Sequence, residues 1–127
     1  MANLVVSKKE IGGLYDFAVN GGVAGSIAMN VWLPGKCVVD RLWTKTITTV
    51  TSAGAATIAL TFDNAGPYGM VPFPFGAFTT GTCLAGVDFN ANPTLLATGI
   101  QMYFVIGTAN LTAGKIAFIV EYTQMDI

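Results

Sequence analysis

The sequence predicts an all-β fold: an antiparallel β-sandwich, jelly-roll-like, of about eight strands, with an extended N-terminal arm. Two observations carry this. Four segments place a large apolar residue at every second position: Ile27/Met29/Val31/Leu33, Ile58/Leu60/Phe62, Ile100/Met102/Phe104/Ile106 and Ile116/Phe118/Val120/Tyr122. Side chains alternate faces along a strand, so each series reads as one strand's buried face. Between them lie Gly-, Pro- and Asn-rich turns, and no segment shows a helical period.

The elements follow in order. Residues 1–13 hold three of the chain's charges, show no alternating face and end at Gly12–Gly13, which reads as a flexible joint. This is the arm; fully extended it reaches ~43 Å, enough to cross a neighbouring subunit. The body, residues 14–127, opens with a short strand over Leu14–Val19 and a Gly-rich turn over Asn20–Gly25. Ser26–Leu33 is the next strand, with Ser26, Ala28, Asn30 and Trp32 on its outer face, and Pro34–Gly35 ends it. A long strand runs from about Val38 to Thr51. Val39, Leu42, Trp43 and Ile47 cannot share one face of it, so a bulge is expected. Ser52–Ala56 then forms a turn, making a hairpin with Thr57–Phe62. Asp63–Pro93 is irregular and aromatic-rich, with one or two short strands expected near Phe78–Leu84. Leu95–Thr98, Ile100–Ile106 and Lys115–Thr123 complete the sheets, with Asn110–Gly114 as a last hairpin turn.

At 127 residues the chain is one domain with enough length to bury its own core. Charged residues are only 10% of it, against ~25% in an ordinary soluble domain. A surface so poor in charge has weak protection from self-association, so part of it is expected to be buried against other chains. The net charge is −1, and the only basic cluster is Lys8–Lys9. Direct nucleic-acid binding is not expected, because counterion release needs several clustered cations. The longest wholly apolar runs, Met102–Ile106 and Ile116–Val120, are five residues, far short of the ~20 of a spanning helix, so no membrane partner is expected. Met1–Gly13 has too short an apolar core for a signal peptide, which implies folding in a cytoplasm. Cys37 and Cys83 are then free thiols.

No catalytic chemistry is legible, and no enzymatic activity is expected. The chain has no histidine, which removes the commonest general base and the Ser-His-Asp and Cys-His arrangements. Two cysteines cannot close a zinc site, and no metal or other cofactor is expected. Asp16, Asp40, Asp63, Asp88, Glu121 and Asp126 show no motif spacing. Asp88-Phe89-Asn90-Ala91-Asn92 opens like a calcium loop, but Pro93 stands where the loop needs Gly and Gly99 where it needs Glu; it reads as an Asx-rich turn. What remains is contact. Trp32 on an outer face, and Phe73, Phe75 and Phe78 in a Pro/Gly-rich loop, are candidate subunit-interface anchors, the alternative being that the loop rings cap the core. Trp43 is assigned to the core.

Several pieces recur in a telling order: Tyr15-Asp16-Phe17, Leu33-Pro34-Gly35, Val38–Trp43, Thr48–Ser52, Ala56–Leu60 and Leu111–Tyr122. This order resembles small decoration, or cement, proteins of tailed-bacteriophage heads. The resemblance implies a jelly-roll subunit that forms homotrimers on the capsid's outer surface, at local three-fold positions of a shell built from a major capsid protein of HK97-like fold. It also implies that the arm lies across neighbouring capsid proteins, with Leu4, Val5, Val6, Lys8, Lys9 and Ile11 as its contact residues. Two rivals are a tail or head-fibre component, in which Trp32 would stack on a host sugar, and a plain sandwich with an unrelated enzymatic site.

Overall fold

The computed structural model describes residues 5–62, 65–85, 95–96 and 99–126. The elements are β1 (Val5–Asp16), α1 (Phe17–Asn20), β2 (Gly25–Leu33), β3 (Cys37–Ser52), β4 (Thr57–Phe62), β5 (Ala65–Pro74), a 3-10 turn (Phe75–Ala77), β6 (Cys83–Ala85), β7 (Leu95–Leu96), β8 (Ile100–Gly107) and β9 (Leu111–Asp126). They form two sheets. One has the order β1-β9-β3-β6, with β7 also on β3; the other has the order β2-β8-β4-β5. Every described strand pair is antiparallel. The expected all-β antiparallel sandwich is therefore the fold found.

Most of the alternating residues form its core, with Ile27, Met29 and Ile100 half-buried against it. Leu33, Ile58, Leu60, Phe62, Met102, Phe104, Ile106, Ile116, Phe118 and Val120 are all buried, drawn from both sheets. Tyr15 crosses the gap between the sheets: its ring stacks on Phe104 with centroids 4.1 Å apart, and its hydroxyl donates to Gly21 O at 2.6 Å. The expected bulge in β3 falls at Asp40. Val39 pairs with Tyr122 and Arg41 with Glu121, so Asp40 is the extra residue, and Val39 and Leu42 both reach the core.

Two expected hairpins are absent. β3 and β4 lie in different sheets, and so do β8 and β9. Ser52–Ala56 and Thr108–Asn110 are bridges between layers, and a short polar turn serves either purpose in sequence. Leu14–Val19 is not one strand either. β1 ends at Asp16, whose carboxylate accepts from Ala18 N and caps the single turn of α1. The strand expected near Phe78–Leu84 shrinks to β6, while β5 precedes it as a longer, unforeseen strand.

The boundary after Gly13 also gives way. From Val5 onward the expected arm is extended, but it is paired with β9 in an unbroken register from Val5–Asp126 to Asp16–Lys115. Gly12 and Gly13 are not a joint. A Cβ on Gly13 would lie 2.5 Å from the Phe118 ring and 2.9 Å from Val31 Cγ2, and one on Gly12 would lie 2.7 Å from Phe118 O. The pair is small so that β1 can lie close against β9 and β2.

Candidate functional site

Charge divides the molecule. β2, β4, β5 and β8, the whole of one sheet, contain no charged residue. Ten of the thirteen charges lie in β1, β3 and β9 of the other. The sandwich has one face built to be wet and one with little defence against association.

On the charged sheet, strand pairing gathers residues that are far apart in sequence. Glu10 lies opposite Glu121, which lies opposite Arg41; Lys8 lies opposite Thr123, which lies opposite Val38. The bulge at Asp40 brings its carboxylate beside Thr123, whose hydroxyl donates to Asp40 Oδ2 at 2.6 Å. Arg41 Nε stands 3.6 Å from Glu121 Oε2, and its guanidinium lies 5.7 Å from the centroid of the Trp43 ring. Trp43 is thus half-buried under Arg41 and not in the core. Lys8, Lys9, Glu10, Asp40, Arg41, Glu121 and Tyr122 line a depression of about 720 Å³. It holds three cations and three anions. Such a balance suits a protein surface of mixed charge and offers no net attraction to a polyanion.

On the uncharged sheet, Ser26, Ala28, Asn30 and Trp32 all face outward, as expected. Trp32 is 55% exposed. It stays outward across an irregularity: Ala28 pairs with Tyr103 and Trp32 with Gln101, so three β2 residues oppose Met102 alone. The middle residue, Asn30, takes φ 57°, a region Asn tolerates better than most side chains.

The loop aromatics divide. Phe78 is fully buried, with Phe73 edge-on at 6.4 Å, so it cannot be an interface anchor. Its Pro/Gly-rich setting suggests an exposed loop, but the 3-10 turn over Phe75–Ala77 turns the ring inward. Phe73 and Phe75 are half-buried and pack on the core. Among the arm residues, Val6 is 52% exposed, Lys8 and Lys9 are exposed, and Ile11 packs against the core. Val5 is described only through its backbone pairing; Leu4 and the Asp88–Asn92 loop lie outside the described residues. Cys37 is buried, and burial, with the nearby Asp40 charge second, raises its thiol pKa; Cys83 is exposed.

Sequence reasoning missed Glu10, Asp40, Arg41 and Glu121 as a group. No spacing marks them, because the register of three strands creates their proximity.

No family model matches the chain, and no curated protein matches it. Solved structures do. The fold is similar to that of a chain in "Acidic stable capsid structure of Helicobacter pylori bacteriophage KHP30", with TM-score 0.68, 12% identity, and coverage of 98% of this chain and 95% of that one. It is also similar to a chain in "Capsid of Ralstonia phage GP4", with TM-score 0.54, 19% identity, and coverage of 96% of this chain and 84% of that one. At these identities the likeness is one of fold.

Proposed function

We propose that this chain is a structural, non-enzymatic component of a tailed-phage virion: a decoration or cement protein that sits as a homotrimer on the outside of the head and clamps neighbouring major capsid proteins of HK97-like fold. The observation that carries the reading is the end-to-end likeness of fold to chains from two phage capsid structures. The connectivity is in keeping with it. Consecutive strands alternate between the sheets at most connections, as in a jelly roll made of two Greek keys.

The two faces have different roles in this reading. The uncharged sheet, with Trp32 outermost, makes contacts between subunits, where charged residues are depleted and aromatic ones enriched. The charged sheet and the exposed half of β1, including Val6, Lys8 and Lys9, face the capsid protein. Folding takes place in the host cytoplasm, and the mature location is the capsid's outer surface.

The test is the copy number of this chain relative to the major shell protein in purified particles, by quantitative mass spectrometry. A regular ratio of one trimer per local three-fold supports a shell-covering role. A handful of copies favours a tail or head-fibre part with Trp32 as a sugar platform. Absence from the particle overturns both.

A further inference from the structure

Among the described residues β1 is an edge strand, with β9 on one side only. Among the described residues, no backbone group outside β9 is hydrogen-bonded to the backbone of Val5–Gly13. Val6–Glu10 are exposed on both faces of the sheet. Such an edge is a row of unused donors and acceptors, open to a further strand.

We propose that the occupant is β1 of a second copy of this chain, paired antiparallel about a two-fold axis at Lys9. The order of charges selects this register. Directly opposed residues of antiparallel strands point to the same face. With the axis at Lys9, Lys8 opposes Glu10 of the second copy and Glu10 opposes its Lys8, so both pairs are of opposite sign. Beyond them, Val6 opposes Gly12 and Val5 opposes Gly13.

Neighbouring registers lack this match. An axis at Lys8 or Glu10 sets that residue against itself. An axis at Ser7 sets Lys8 against Val6 and Glu10 against Leu4, and one at Ile11 sets Lys8 against Leu14 and Glu10 against Gly12. The one like-charge contact in the proposed register is Lys9 with its counterpart, on the opposite face. There, two long stems in open solvent can diverge. The contact is isologous, so each β1 edge is filled by one further copy and no more.

The inference does not depend on the capsid reading, because it is tested on the isolated chain. Sedimentation equilibrium over a range of concentrations should show a doubling of whatever unit the rest of the surface builds. Lys8→Glu alone and Glu10→Lys alone each place like charges opposite one another twice, and each should weaken the doubling by roughly ten-fold. The double variant Lys8→Glu with Glu10→Lys restores opposite signs and should restore the doubling. In a Cys83→Ser background, Lys9→Cys places two thiols at the axis and should give a covalent dimer on mild oxidation, whereas Thr112→Cys should not. If the wild-type unit never doubles, or both single reversals leave the doubling unchanged, or Lys9→Cys fails to cross-link, the proposal is overturned. Lysines that merely guard a lone edge would give that outcome.

Discussion

The rings of Tyr15 and Phe104 lie parallel to within 2° at a centroid separation of 4.1 Å, one contributed by each sheet. Tyr15 has no exposed surface, and its hydroxyl is committed to Gly21 O. Tyr15→Phe keeps the stack and strands the carbonyl, so it should cost about 1–2 kcal/mol, read as a shift in the urea midpoint. Burial, with the Asp16 charge second, pushes the phenol pKa up to about 12 from an ordinary 10.0. The fold favours the neutral ring. Its contribution is therefore complete below pH 10.0 and lost as pH climbs through about 12. Urea midpoints followed through that window should fall in the wild type and fall less in Tyr15→Phe.

Gly13→Ala should destabilise the protein by about 1–3 kcal/mol, because the added methyl meets the Phe118 ring and Val31 at once. Thermal unfolding gives the size. A neutral result would return Gly12–Gly13 to the role of a simple joint.

Thr46 is buried on β3, and its hydroxyl has no hydrogen-bond partner among the described residues. Thr46→Val removes that unsatisfied group at nearly constant shape, and a gain of about 1 kcal/mol is expected in chemical denaturation.

Phe78 and Trp32 should behave oppositely. Phe78→Ala opens a cavity in the core and should cost about 3–5 kcal/mol in stability. Trp32→Ala should leave the unfolding midpoint within about 0.5 kcal/mol of wild type. If Trp32 is a subunit anchor, the same change should lower the oligomer mass seen by light scattering. Unchanged mass would remove it from the interface.

The strands were legible where a sheet buries one face. Ile58, Leu60 and Phe62, or Ile116, Phe118 and Val120, alternate because each meets the core every second residue. The bulge was legible too, since Val39 and Leu42 demanded one. What the residues did not carry was which strand lies beside which. Ser52–Ala56 has the composition of a hairpin turn, yet it connects two layers, because turn chemistry sets local dihedrals and not the partner strand. β1 escaped notice because Val6–Glu10 are all exposed and show no alternating buried face; what places them is the ladder to β9. The charged depression was invisible for the same reason, as it exists only once β1, β9 and β3 lie side by side.

The position of β9 has a consequence for biosynthesis. It is the last strand in chain order, yet it lies between β1 and β3. Until it leaves the ribosome, those two strands have no common neighbour, and the charged sheet has no middle. The early-made strands must wait, with their edges open, for the pairing of longest sequence separation. Such non-local closure makes folding slow and leaves intermediates prone to associate. A nascent chain halted before Leu111 therefore cannot form this sheet, so truncated products are poor competitors for whatever surface the finished protein occupies.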